Sequence, residues 1–250
     1  MVSLETGIEE YVVSLRVERG LSPNTIAAYR RDLSQYREFL EGREPDEGGV
    51  ADFMVEMRNR GLADSTVARK LASVRGLHRF LVSEGMADTD PTALIGSPRR
   101  PDPFPKALSV DRVIALVEAP ALDTPQGRRD RALLEFLYAT GARVSEAVNV
   151  DLGHLDLDDR TVRVTGKGSK QRVVPLGGKA VEAIFAWLPD RLELVRRDVA
   201  GDPLFINLRG RRLSRQGVFD IVKRHAPAAD ISPDEVSPPR LAPLCAFLPA

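Results

Sequence analysis

Two cations in the second half of the chain stand where a phosphate could be gripped. Arg143 follows Thr140-Gly141-Ala142 and opens a helical pattern, so free backbone N–H groups and the positive end of a helix dipole would favour an anion beside it. Glu146 comes three residues later, one turn along the same face, and could hold the guanidinium in place. Lys167 lies between Gly166 and Gly168, in a turn joining two β-patterned runs, so its ammonium would project from a stiff support. Taken singly, each cation has a plainer reading: a surface ion pair with Glu146 for Arg143, and a solvated turn lysine for Lys167.

Other chemistries fit the residues less well. The glycines around Lys167 suggest a nucleotide loop, but a P-loop runs from strand into helix and ends in Lys-Ser/Thr, whereas here strand leads to strand. His78, His154 and His225 show no metal-ligand spacing, and Asp156, Asp158 and Asp159 lack the glycine and terminal glutamate of a calcium loop. The single cysteine, Cys245, excludes an internal disulfide framework and a cysteine-built zinc site, which fits a reducing compartment, by default the cytoplasm.

Basic side chains recur on both halves: Arg30, Arg31, Arg69, Lys70 and Arg75 early, then Lys170 and Arg172 beyond the glycine turn, and Arg209, Arg211, Arg212 and Arg215. Lysine plus arginine equals aspartate plus glutamate at 36 each, so total charge is silent and only this distribution favours a clamp on a duplex backbone.

The elements that must position these residues are legible from periodicity. Apolar residues at three- and four-residue steps from Ile8 to about Ala93 predict four helices. The first stops near Gly20; the second opens on Ser22-Pro23; the third covers Val50 to Arg60; the fourth is capped by Asp64 and closed by Gly85. Pro98, Pro101, Pro103 and Pro105 mark an extended linker at 97–106, separating a helical domain at 1–96 from a second at 107–233, with an aberrant tail at 234–250. The second domain should hold a helix starting at Ser109, another from about Gly127 to Tyr138, and a third near Val144. A hairpin of Thr161–Thr165 and Gln171–Leu176 follows, then a helix from Lys179 to Trp187, a short strand at Leu204–Asn207 and a capped helix at Ser214–His225. A hydrophobic fraction of 43% over 250 residues suffices for two cores. No apolar run approaches the roughly 20 residues that span a bilayer, and no signal peptide or membrane partner is expected.

Read in order, these pieces resemble the bacterial tyrosine site-specific recombinases of the XerC/XerD type, within the phage integrase family. Leu21-Ser22-Pro23-Asn24-Thr25 with Tyr29-Arg30-Arg31-Asp32-Leu33 looks like the opening of their core-binding domain. Arg128 to Glu135 and Tyr138 to Glu146 look like their first catalytic motif, and Val164 to Leu176 is similar to their β-hairpin. Leu213-Ser214-Arg215-Gln216 also fits. The resemblance implies an all-α SAM-like N-terminal domain and a mixed α+β catalytic domain with a small antiparallel sheet, incomplete at its C-terminal end. It implies that Arg143 binds the scissile phosphate and that Lys167 is the general acid toward the leaving 5′ hydroxyl, with Glu146 in support. It further implies a 3′-phosphotyrosyl intermediate, no ATP, metal or other cofactor, a short site on double-stranded DNA, and a second Xer recombinase in a heterotetramer that resolves chromosome or plasmid dimers at cell division.

The end of the chain departs from that pattern. After Ser232-Pro233 or Ser237-Pro238 the resemblance calls for His-x-x-Arg, a later histidine and the nucleophilic tyrosine, yet tyrosine occurs only at Tyr11, Tyr29, Tyr36 and Tyr138. A frameshift is the expected cause: permitted codons for Pro239–Cys245, cca cgc ctt gcg cca ctc tgc, encode His-Ala-Leu-Arg-His-Ser once the first base is dropped. As written, the chain is expected to bind DNA without cleaving it. A non-catalytic DNA-binding regulator on the same scaffold is the alternative, and a helical protein–protein adaptor a third reading; a binder has no need of Arg143 and Lys167 in full motif context.

Overall fold

Hydroxyl and carboxylate side chains set the entry of most helices. In the computed structural model, which describes residues 3–96 and 108–232 apart from the Lys167 side chain, Ser3 accepts from Thr6 N at 3.2 Å and opens helix α1 (Leu4–Val17). Ser22 accepts from Thr25 N at 3.2 Å and, with Pro23 in the first turn, opens α2 (Pro23–Leu40). Asp46 accepts from Gly49 N at 2.6 Å, so α3 (Glu47–Asn59) begins earlier than the apolar pattern from Val50 indicates. Helix α4 (Asp64–Ser83) differs from expectation at its start: Asp64 is its first residue, and Ala63, at the cap position, offers no side-chain acceptor.

The chain divides into two compact units, Met1–Asp102 and Pro103–Ala250. The sequence-predicted linker at 97–106 and the tail at 234–250 fall outside the described residues. In the first unit, four helices enclose Tyr11, Val12, Leu15, Leu33, Tyr36, Phe53, Leu71, Val74 and Leu77, all nearly inaccessible. Their three- and four-residue spacing gives each helix one inward stripe.

In the second unit α5 (Val110–Glu118) follows Ser109, and α6 (Pro125–Thr140) follows Thr124-Pro125, whose hydroxyl accepts from Gly127 N at 3.1 Å. A five-residue α7 (Val144–Val148) leads to a three-stranded antiparallel sheet, order β1-β2-β3, of β1 (Leu155–Asp156), β2 (Thr161–Thr165) and β3 (Gln171–Pro175). The predicted hairpin is β2–β3, paired from Thr161↔Pro175 to Thr165↔Gln171; the edge strand β1 carries too short a pattern to be read from sequence.

Helix α8 (Gly178–Leu194) runs seven residues beyond Trp187, through Pro189. Anchors on either side of the proline account for this: Trp187 Nε1 donates to Leu204 O at 2.9 Å and buried Arg191 Nε to Pro203 O at 2.7 Å. Those same anchors occupy the 203–204 carbonyls, and the predicted strand at Leu204–Asn207 is reduced to isolated bridges, Asp151↔Pro203 and Ile206↔Arg212. The core lies where α6 and α8 pack on each other and on Val162 and Val164 of β2, with Phe136 and Phe205 edge to face at 5.5 Å. Helix α9 (Arg215–His225) is capped by Ser214, which accepts from Gly217 N at 3.0 Å.

Candidate nucleic-acid interface

The end of α6 determines where Arg143 emerges. Gly141 takes φ +61°, a left-handed conformation that glycine adopts without a Cβ penalty, and Thr140 Oγ1 donates to Phe136 O at 2.6 Å while accepting from Ala142 N at 3.2 Å. The chain thus turns sharply, buries Ala142 and leaves Arg143 at the mouth of α7 with its side chain 72% exposed.

Glu146, only 2% exposed, gathers the surrounding cations. Its Oε2 accepts from Arg143 N at 2.9 Å and Arg172 Nη2 at 2.8 Å; its Oε1 accepts from Arg143 Nη1 and Arg172 Nη1, both at 3.0 Å. Burial alone would raise this carboxyl, but hydrogen bonds from Arg172 and Arg143 outweigh that penalty and hold it below its ordinary value. The expected anion grip by free helix N–H groups needs correction: α7 is barely more than one turn, and the Arg143 N–H is already taken by Glu146. What faces outward is the guanidinium, aimed by a buried carboxylate.

The hairpin tip lies beside this cluster. Gly166 is so close to Glu146 that a Cβ there would stand 3.0 Å from Oε1, and its N–H donates to Lys170 O at 2.8 Å to close the turn. Lys167 begins a short 3₁₀ turn through Ser169, with Gly168 at φ +71°. Two glycines therefore flank Lys167 for different reasons, close approach at 166 and a left-handed backbone at 168. The Lys167 backbone follows directly from the residue that abuts Glu146; its side chain lies outside the described structure. Lys170 is exposed beyond the tip, whereas Arg172 has turned its fork onto Glu146.

The remaining basic residues sort by burial. Arg30 is exposed and paired with Glu9 at 2.8 Å; Arg31 and Arg215 are exposed with no ion pair among the described residues. Arg69 reaches the buried Asp32 and keeps part of its side chain in solvent. Lys70 contradicts the expectation of a surface contact: it is 4% exposed, its ammonium held by Asp32 at 3.2 Å and by Gln35. An ammonium so enclosed cannot meet a phosphate without unpairing a buried carboxylate. Arg75 donates to Ile95 O and lines a concavity of about 470 Å³ with Arg19, Arg79, Tyr11 and Tyr29, whose lining contains no acidic residue. Sequence reasoning missed Arg19 and Arg79; the signal available was Arg79 four residues after Arg75 on one helix face.

A second buried acid was also missed. Asp130 on α6 accepts from Arg129 Nε and Nη2 at 2.9 and 2.6 Å, and from Arg224 Nη1 and His225 Nε2, both at 3.0 Å, tying the last turn of α9 to α6. Among the described residues no group of three or more His, Cys, Asp or Glu gathers as a metal-ligand set, and no helix is long and apolar enough to cross a membrane.

Residues 106–242 match the model of the phage integrase family, and residues 8–85 match that of the phage integrase N-terminal SAM-like domain. The chain is 37% identical over 235 residues to tyrosine recombinase XerD of Staphylococcus epidermidis, covering 92% of this chain and 80% of that protein. It is 38% identical over 235 residues to tyrosine recombinase XerD of Staphylococcus aureus, covering 91% of this chain and 79% of that one. The fold is shared with XerH site-specific recombinase bound to difH substrate in a pre-cleavage complex: TM-score 0.72, 21% identity, covering 98% of this chain and 74% of that one. A lambda integrase dimer bound to a COC′ core site gives TM-score 0.73 at 16% identity, covering 98% of this chain and 89% of that one.

Proposed function

Because the chain belongs to the phage integrase family of tyrosine recombinases, we propose that it grips the backbone of a short recombination site and takes part in Xer-type resolution of chromosome or plasmid dimers at cell division. In that reaction a tyrosine oxygen attacks the scissile phosphorus, a 3′-phosphotyrosyl bond forms, and the 5′ oxygen leaves as a hydroxyl after receiving a proton. Bond energy is conserved, so the strand is rejoined by reversal without an external energy source. Arg143 holds the non-bridging oxygens and Lys167 supplies the proton to the leaving oxygen.

The observation that carries this reading is the Arg143–Glu146–Arg172 cluster: a solvent-facing guanidinium aimed by a 2% exposed carboxylate, directly beside the turn that bears Lys167. Arg30, Arg31, Arg69, Lys170 and Arg215, with Arg19, Arg75 and Arg79 around their concavity, supply backbone contacts. Assembly is with a second Xer recombinase as a heterotetramer on double-stranded DNA, in the cytoplasm.

No tyrosine follows Arg143 in these 250 residues, and we propose that they bind DNA without forming the covalent link. Gel shift at two salt concentrations should show duplex affinity that falls steeply with salt; affinity indifferent to salt would remove the DNA reading. Trapping on a nicked suicide substrate should yield no covalent adduct, and an adduct formed by this chain alone would overturn the non-cleaving part.

A further inference from the structure

Arg172 reads in the sequence as one more phosphate contact, but its fork lies along a carboxylate. Nη1 and Nη2 reach Glu146 Oε1 and Oε2 at 3.0 and 2.8 Å, and the same two oxygens take Arg143 Nη1 and the Arg143 backbone N–H. Each oxygen of a carboxylate excluded from water thus has two donors. Withdrawing the bidentate pair would leave a buried charge half compensated, so the arrangement is stiff.

Register shows what that stiffness connects. Arg172 stands opposite Val164 in the β2–β3 ladder, two residues before Gly166 on the facing strand, and Gly166 itself abuts Glu146. Glu146 belongs to α7, whose first position is Arg143. We propose that Arg172 is a positioning residue: its fork on Glu146 pins the base of the Lys167 hairpin to the Arg143 turn, so the two keep one separation. This rests on the reading that Arg143 and Lys167 serve one phosphate. Arg172 then contributes to phosphate binding through Glu146 and Arg143, not by touching the phosphate. Lysine cannot substitute fully, because one ammonium cannot span both carboxylate oxygens.

Two measurements on the full chain test this. In the free protein, the Arg143 Nε–Hε resonance should be ordered in the wild type, intermediate in Arg172→Lys and mobile in Arg172→Gln; unchanged Arg143 mobility in Arg172→Gln overturns the proposal. Binding of a short random-sequence duplex then separates positioning from contact by a double-mutant cycle. Arg172→Gln and Glu146→Gln should each weaken affinity about 3- to 10-fold, and the double variant no more than the weaker-binding single one. If the two effects multiply, Arg172 is a direct phosphate ligand and the proposal is wrong. Should Arg172→Gln fail to fold, Arg172→Lys carries the same comparison, with the positive charge kept and the bidentate fork lost. A wild type without duplex affinity would instead remove the reading that Arg143 grips DNA, and Arg143 mobility alone would decide whether the coupling stands.

Discussion

Asp32 in the helical unit and Glu146 in the catalytic unit are built alike: each carboxylate is almost wholly buried and each binds two cations. They differ in where the cations end. Lys70 is enclosed with Asp32, Ser73 Oγ donates to the same carboxylate at 3.2 Å, and of its two cations only Arg69, 42% exposed, leads toward solvent. Both partners of Glu146 reach solvent, with Arg143 at 72% and Arg172 at 41% exposed. The first acid therefore acts as a strut between helices and the second as a handle for a guanidinium that faces outward. Counting basic residues in a motif cannot separate these uses, because the difference lies in how far each side chain extends from a buried anchor.

The largest test of that distinction is Asp32→Ala, which leaves Lys70 enclosed without its partner. It should cost the helical unit about 3–5 kcal/mol in urea denaturation followed by far-UV ellipticity. Trp187, the single tryptophan, lies in the other unit, so the fluorescence midpoint should stay in place; a shift there as large as in ellipticity would break the comparison.

A smaller effect separates the units by pH. His78 is buried beside the Tyr36 hydroxyl at 3.2 Å, and burial lowers its imidazole from 6.5 to about 4. The unfolded chain takes up the proton near 6.5 while the folded one does not until about 4, so the helical unit loses stability as pH falls through that window. The full loss is about 3 kcal/mol, and His78→Gln should flatten it. Glu146 titrates in the other direction of charge and lower on the scale. Its carboxyl is held below the ordinary 4.5, so its ion pairs stabilise the catalytic unit above that value and are lost only as pH falls through the lowered one. Trp187 fluorescence should therefore hold between pH 6.5 and 4.5 while ellipticity begins to fall; simultaneous loss would contradict the assignment.

The smallest expected change is at the surface. Arg30→Ala removes an exposed pair with Glu9 and should alter stability by less than about 1 kcal/mol. Its effect on duplex binding should nonetheless be measurable, with the salt slope reduced by about 0.9 for one lost phosphate contact. An unchanged slope would place Arg30 with Lys70 among the residues that serve the fold alone.

Much of this arrangement is local chemistry and could be read directly. Ser22-Pro23 and Ser214 mark helix entries because a side-chain oxygen satisfies an orphan N–H within three residues. Gly168 marks the hairpin tip because its left-handed backbone is a property of one residue. The spacing of Arg143 and Glu146 places them on one turn whatever surrounds them. Other features depend on residues distant in the chain: β1 exists by pairing Leu155 with Val162, and α8 passes Pro189 because Trp187 and Arg191 are held by carbonyls at 203 and 204.

By itself, then, the sequence determined the entries of α2 and α9 and the hairpin, since each rests on interactions spanning a few residues, whereas the pairing of Arg143 with Lys167 came from the family resemblance. Only the tertiary structure decided which basic residues face outward, that Gly166 lies close against Glu146, and that the Arg172 fork turns inward while Lys70 is enclosed. The physical reason is that burial and charge pairing are set by what packs against a side chain, and Asp32 meets Lys70 across 38 positions while Glu146 meets Arg172 across 26.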